Sequence, residues 1–200
     1  TIGAKILADA TPDGHTLLTV SPSHVISPSV YAKLPYDTRR DFSGITTTST
    51  SVYMLVVPLS LPVKSVQELL ALARAKPGQL NFGSAGSGSA THFAGELLKM
   101  RAQIDIVHVP YKGVGAATVD VMGGQIALMF GGISVLKPHA DAGRLRALAV
   151  STAKRSTIGP DIPTIDESGI RGYQTKSWNS LVAPRRTPAA IVQRLNAEIN

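Results

Sequence analysis

Across residues 80–100 the hydrophobic period changes over a run of glycine and serine, and that change admits little other than strand, loop and helix. Residues 80–82 are short and apolar enough for a buried strand, whereas Phe93, Leu97 and Met100 recur at helical spacing. Between them lie Gly83-Ser84-Ala85-Gly86-Ser87-Gly88-Ser89-Ala90-Thr91-His92. A side-chain oxygen of Ser89 or Thr91 is placed to cap the helix, and the glycines admit positive φ or the close approach of a ligand. The first turn of a helix leaves donors unsatisfied at the positive end of the peptide dipole. Such a loop is a ready seat for a small anion, a carboxylate or a phosphate. The same composition also serves a plain strand-to-helix turn.

Sharper motifs nearly match here and then fail. A dinucleotide fingerprint requires a third glycine where Thr91 stands after Gly86 and Gly88, and Asp105 opens the next strand instead of ending it. A nucleophile elbow requires glycines on both sides of Ser87, where Ala85 and Ser89 stand. No Gly-Lys-Ser/Thr follows, so phosphate-loop chemistry is also excluded.

Two hundred residues, 44% of them hydrophobic, suffice for one ordinary domain or two small lobes with real cores. No run of about eighteen apolar residues is present to span a membrane as a helix. The sequence opens at Thr1-Ile2-Gly3-Ala4-Lys5, without methionine and inside what reads as a helix, so its natural beginning is expected to be missing. With no cysteine there are no disulfides or thiolate metal sites, which fits an exported bacterial protein or a cytoplasmic one. The formal charge of +7 comes from 20 basic and 13 acidic residues scattered along the chain, with arginine pairs at Arg39-Arg40 and Arg185-Arg186. Only 5% of residues are aromatic, so the basic stripe with interleaved rings that nucleic acid requires is absent. A mild positive field instead suits an anionic small molecule.

Taken in order, Ile2, Ile6 and Leu7 suggest the tail of a helix stopped by Thr11-Pro12-Asp13-Gly14. Residues 16–20 read as a strand. Ser21-Pro22-Ser23-His24 leaves it for a short helix with Val25, Ile26, Val30 and Tyr31 on one face. Ser23 or His24 is thus expected at a strand's carboxyl end, where open α/β sheets bind ligands; a capping serine and a surface histidine fit the same pattern. Residues 34–42 form a polar connection. Residues 53–57 are a continuous apolar run suited to burial on both faces, broken by Pro58-Leu59-Ser60-Leu61-Pro62. That Pro-flanked break is the expected crossing between lobes. Ser65 caps a helix over 66–75, with Glu68 completing a capping box and Lys76-Pro77-Gly78 as the stop.

Beyond the glycine-serine loop, strands are expected at 104–109, 126–130 and 145–150. Helices are expected at 116–122 and through Val135 and Leu136. Strands alternating with helices on short connections imply a mostly parallel sheet with right-handed crossovers. Residues 158–173 are irregular and 177–183 look like a returning strand. Thr187 is then the expected cap of a helix with Pro188 in its first turn. The pattern implies residues 61–174 as one lobe, inserted into a second, incomplete lobe of residues 1–60 and 175–200. No internal repeat is evident.

Other chemistry is scarce. His15, His24, His92, His108 and His139 show no i,i+4 pair, so no metal site is expected, and each reads as a surface or capping residue except His92 beside the loop. No spacing suggests paired carboxylates, and Asp37, Asp41, Asp120 and Asp141 all look solvated. No cofactor is implied and no catalysis is demanded. A serine hydrolase built on Ser84 or Ser87 with a later histidine is the alternative in another functional class.

Several segments together resemble the Bug/TctC extracytoplasmic solute receptors of tripartite tricarboxylate transporters. They are Thr11-Pro12-Asp13-Gly14-His15-Thr16-Leu17-Leu18, Leu34-Pro35-Tyr36-Asp37 with Asp41-Phe42, Leu61-Pro62-Val63-Lys64-Ser65, and residues 81–89. Val109-Pro110-Tyr111-Lys112-Gly113, Gly123-Gly124-Gln125 and Leu145-Arg146-Ala147-Leu148-Ala149-Val150 complete the set, in the family's order. The resemblance implies a type II periplasmic-binding-protein-like α/β fold, two lobes closing on a small organic acid in the periplasm. Implied partners are a di- or tricarboxylate, an acidic amino acid or an aromatic acid, and the transporter's membrane components. It implies ligand contacts from Ser84, Ala85, Gly86, Ser87, Gly88, Ser89, Thr91 and His92, and from Ser23 and His24 on the other lobe. The family's first strand with its Gly-rich loop is expected to precede Thr1, and its last helices to follow Asn200. Gly131 stands where many members carry an acidic residue, a departure that favours a plain di- or tricarboxylate.

Overall fold

The computed structural model describes residues 2–200. Its elements are α1 (Ile2–Asp9), β1 (Leu18–Val20), α2 (Pro22–Val30), β2 (Phe42–Ser51), β3 (Tyr53–Pro58), α3 (Val66–Ala75), β4 (Asn81–Ser84) and α4 (Ala90–Ala102). There follow β5 (Val107–Pro110), α5 (Val114–Met122), β6 (Leu128–Gly132), α6 (Ile133–Asp141), β7 (Leu145–Val150), β8 (Ser177–Pro184) and α7 (Ala189–Ile199). They divide into two compact units, Ser51–Lys176 and the two flanking segments Thr1–Thr50 and Ser177–Asn200.

The Ser51–Lys176 unit is built on a five-stranded sheet of order β5-β4-β6-β3-β7. β4 runs parallel to β5 and β6, while β3 is antiparallel to both β6 and β7. All strands but β3 therefore point the same way. Period-2 alternation sends neighbouring side chains of β3 and β6 to opposite faces. Tyr53, Leu55, Val57, Leu128 and Phe130 join α3 and α4 in one core, whereas Met54, Val56 and Met129 join α5 and α6 in another. A strand covered on both faces has no polar side, which is why residues 53–57 are continuously apolar.

Three expectations change here. The Pro58–Pro62 break is not a crossing, because β3 pairs on both edges within this sheet, and the first boundary falls between Thr50 and Ser51. The helical face drawn through Phe93, Leu97 and Met100 is also displaced: Met100 is 66% exposed, and α4 buries Thr91, Ala94, Gly95, Leu98 and Ala102 instead. Small residues face the sheet because Gly95 lies directly on the ring of buried Phe82, leaving no room for a larger side chain. Lastly, Thr187 does not cap α7; Pro188 holds that position, and the Thr187 hydroxyl is buried with no hydrogen-bond partner among the described residues.

In α3 the expected cap forms, with Ser65 Oγ accepting from the Glu68 amide at 3.1 Å. The reciprocal arm reaches one residue further back, from the Lys64 amide to Glu68 Oε2 at 2.7 Å. Residues 158–173 lack regular structure yet are not loose, for Ile165, Ile170 and Tyr173 pack into the α3/α4 core. The Tyr173 hydroxyl donates to the carbonyl of Ala94 at 2.8 Å, and burial raises its pKa.

In the other unit β1, β8 and β2 form a three-stranded sheet, with β1 antiparallel to β8. Ala4, Leu7, Val20, Tyr36, Phe42 and Val182 form its core. Hydropathy gives no sign of β2, because most of it is serine and threonine. Its hydroxyls instead bond across to β8: Thr47 Oγ1 meets Ser180 Oγ at 3.0 Å, and Ser49 Oγ accepts from Asn179 Nδ2 at 3.0 Å.

Gly95→Ala gains up to about 1 kcal/mol of helix propensity but meets the immovable Phe82 ring, where overpacking costs roughly 1–3 kcal/mol. Chemical denaturation should show a net destabilisation of about 1–2 kcal/mol. Tyr173→Phe, which removes one buried hydrogen bond and no volume, should cost about 1 kcal/mol in the same measurement.

Candidate functional site

Because β5, β4 and β6 are parallel and adjacent, their carboxyl ends lie side by side, the usual place for a ligand in an open α/β sheet. From β4 the chain enters the loop 85–89, from β5 it turns through Tyr111-Lys112-Gly113, and β6 passes directly into α6. The first two connections are tied together: the Tyr111 amide donates to Ser84 O at 3.1 Å and the Gly113 amide to Ala85 O at 3.2 Å. Gly86 and Gly88 take φ of 128° and 76°, values that glycine adopts at little cost.

Side chains pin the loop at each of those glycines. The fully buried Ser84 hydroxyl donates to Gly86 O at 3.1 Å and accepts from the Gly86 amide at 3.1 Å. Its second lone pair faces His108 Nε2 at 2.6 Å, so saturation of the hydroxyl assigns the proton to His108 Nε2. At the next glycine the Gly88 amide donates to His92 Nδ1 at 3.2 Å, which assigns the His92 proton to Nε2. Thr91 Oγ1 accepts from the Ala85 amide at 2.9 Å, and Ser89 Oγ caps α4 by accepting from the His92 amide at 3.2 Å. Both hydroxyls offered as caps are thus in use, but only Ser89 caps the helix.

The two imidazoles stack, with centroids 3.9 Å apart and planes inclined by 26°, and the ring of Phe82 lies 4.9 Å from His108. Burial lowers both histidine pKa values below the ordinary value. Against that, Glu96 Oε1 at 3.8 Å from His92 Nε2 favours the cation, and Lys99 opposes it. His108 is lowered further by His92. Both rings are therefore neutral at neutral pH.

Among the described residues, no acceptor meets the amides of Ser87, Ala90 and Thr91. The Ala90 and Thr91 amides stand in the first turn of a thirteen-residue helix, the positive end of its dipole, and Ser87 lies two residues before its cap. Loop and helix start together present a fixed set of neutral donors suited to an oxyanion. No cofactor or metal ligand set accompanies them, and no group of three or more His, Cys, Asp or Glu gathers to hold a metal among the described residues.

Among the described residues, the remaining expected ones make no hydrogen bond to this set. Gly131 is in β6, and a Cβ there would meet Leu136 Cδ1 at 2.7 Å and Val114 Cγ1 at 3.3 Å, so that direction is closed by apolar side chains. Ser23 and His24 belong to the other unit, inside the first turn of α2 and not before it. His24 stacks on Tyr36 at 5.6 Å and meets Phe42 edge-on at 4.9 Å, which gives it a packing role; burial lowers its pKa. A cavity of about 730 Å³ in that unit is lined by Val25, Pro28, Tyr31, Leu34 and Tyr36 among others and includes neither residue.

Sequence reasoning missed His108 and Tyr111. Their signal was position: His108 lies within the strand expected at 104–109 and Tyr111 in the turn that follows it. Asp120 is also not simply solvated, since it accepts from the Tyr111 hydroxyl at 2.7 Å, and that phenol is pushed up to about 12 by burial and by the carboxylate. The hydrolase alternative gains no support. Ser84 is inaccessible with its hydroxyl saturated, and the exposed Ser87 has no histidine against it among the described residues.

Comparison with known proteins bears on the family and the fold. A family model described as the tripartite tricarboxylate transporter family receptor, TctC, matches residues 1–200. A Pseudomonas sp. (strain P51) protein described as "UPF0065 protein in tcbD-tcbE intergenic region" is 38% identical over 200 residues, which are 100% of this chain and 60% of that protein. An R. palustris structure with adipate superposes at a TM-score of 0.91 with 37% identity, over 99% of this chain and 67% of the other. MatC from Rhodopseudomonas palustris with bound malate superposes at 0.88 with 31% identity, over 100% and 68%. This chain spans about 60% of the length of the curated relatives it matches. Its α/β fold is that of the periplasmic binding proteins among these structures. With the family model matched from end to end, the chain belongs to the TctC family of tripartite tricarboxylate transporter receptors.

Proposed function

We propose that this protein captures a small carboxylate in the periplasm for a tripartite tricarboxylate-type transporter, and that the 84–92 loop with the start of α4 receives one carboxylate group. The observation that carries this reading is the unspent amides of Ser87, Ala90 and Thr91 on a loop whose Ala85, Gly86 and Gly88 amides are already committed to side chains. A carboxylate supplies the acceptors those amides lack, and the helix dipole favours its charge. The bound adipate and malate of two family structures support the ligand class. The apolar closure around Gly131 offers no partner for an ammonium group, so a plain di- or tricarboxylate is favoured over an amino acid. Transport rather than catalysis, the periplasmic location and docking to membrane components follow from the family as parts of the same proposal.

A thermal-shift series with malate, adipate, citrate, glutamate and benzoate tests the ligand class, since ligand at a hundredfold excess over Kd stabilises the folded state by about 2.7 kcal/mol. Ser87→Glu then tests the place. It sets a competing carboxylate on the exposed turn without removing any of the loop's side-chain hydrogen bonds, and should weaken calorimetric affinity by about tenfold or more, equivalent to about 1.4 kcal/mol. Met100→Glu, on the exposed face of the same helix, is the control for added charge and should change affinity by less than about threefold. Undiminished affinity in Ser87→Glu would place the anion elsewhere.

A further inference from the structure

We infer that His92 is a positioning residue for the carboxylate loop, and that it holds the loop only while its Nδ1 is unprotonated. This rests on the proposed role of the 84–92 loop. The one hydrogen bond of the His92 ring goes to the loop: Nδ1 accepts the Gly88 amide at 3.2 Å, while Nε2 lies 3.8 Å from Glu96 Oε1, beyond hydrogen-bond reach. One face of the ring is covered by His108 at 3.9 Å. Gly88, the residue it holds, has φ of 76°, and it lies between Ser87 and the α4 start, whose amides are the free donors.

Protonation reverses the bond. A proton on Nδ1 turns the acceptor into a donor facing the Gly88 N–H, so the two groups oppose each other and the glycine is released. The other anchor behaves differently. His108 donates to Ser84 Oγ through Nε2 in either charge state, so Gly86 stays fixed when His108 takes a proton. The loop thus has one proton-sensitive anchor and one insensitive one.

The groups facing the pair favour His92 as the first to titrate. Glu96 is close enough to stabilise its cation; Lys99, one turn further along α4, ion-pairs with the same carboxylate at 3.4 Å and weakens that help. From β4, Phe82 and Ser84 present no charge, and from β5 the only titratable group is His108, whose own charging is opposed by a cationic His92. A cation at this place also attracts a bound anion, so the two effects of protonation have opposite signs. The local one prevails in this proposal, since the bond it breaks is direct and depends on fixed geometry.

Two measurements on the intact protein test the inference. In ligand-free protein followed by NMR, the Gly88 amide should shift and exchange faster with the midpoint of the His92 ring resonances between about pH 8 and pH 5, while Gly86 does not follow. A Gly88 amide indifferent to His92 overturns the inference whatever the binding data show. Calorimetry with malate or adipate should show affinity falling by about tenfold over that range in the wild type. His92→Gln keeps an acceptor but cannot titrate, and should give a flatter profile; His92→Leu, with no acceptor, should bind more weakly than His92→Gln at about pH 7.5. Affinity that rises with acid, or equal slopes in wild type and His92→Gln, overturns it. Absence of binding by every carboxylate at about pH 7.5 overturns the receptor reading itself, and the NMR titration separates that failure from failure of the anchor.

Discussion

The dependence of two hydrophobic cores on one sheet governs the Ser51–Lys176 unit. β3 and β6 are its central pair, and alternate side chains of each strand enter opposite cores, so neither strand tolerates a polar residue on either face. At Gly95 the packing is closer still, with α4 resting against the Phe82 ring. A helix seated that near the sheet delivers its first turn to the carboxyl end of β4. The position of the proposed anion seat is therefore a consequence of core packing, set by Gly95 against the buried Phe82 ring.

What the core places, the loop refines. Ser84 is buried at the strand end, where an unsatisfied hydroxyl would cost about 1–3 kcal/mol, and it avoids that cost by taking three partners. Two of those partners are the amide and carbonyl of one glycine, so satisfying the serine also fixes the loop. Thr91 and His92 act likewise from the helix side, each using a side-chain atom to hold a loop amide. The entropy of ordering these residues is met during folding and does not have to be met again when an anion arrives. Preorganisation of this kind converts weak individual donors into a specific site.

Much of this was legible in the amino-acid order, and the failures have physical causes. The alternation of strands and helices, the α3 cap at Ser65 and the strand-loop-helix at the site are local properties, visible because turn residues and hydrophobic period report them directly. The face of α4 was misjudged because large apolar residues were counted as the buried ones, whereas close packing selects small residues. β2 escaped notice because its pairing runs through threonine and serine hydroxyls, not through apolar burial. His108 escaped for a third reason: it is far along the chain from the Ser84 and His92 side chains it meets, and only the parallel register of β4 with β5, which sets it opposite Phe82, brings it to the loop. Local chemistry is written in order; contacts between neighbouring strands are not.

The site's neutrality deserves a physical reason, since the chain carries a formal charge of +7 and yet places no lysine or arginine within residues 84–92. A basic side chain there would attract any anion through a long-range, weakly directional force. Amide donors act otherwise. Their bonds to a carboxylate are worth roughly 1.5–3 kcal/mol each, but only within narrow limits of distance and angle. Scattered surface charge suffices to favour the approach of an anion, because steering needs no particular geometry. In the proposed site, retention then depends on whether the oxygens fit donors held in place by the Ser84, Thr91 and His92 side chains, so that a neutral loop would select an acid by shape and not by charge alone.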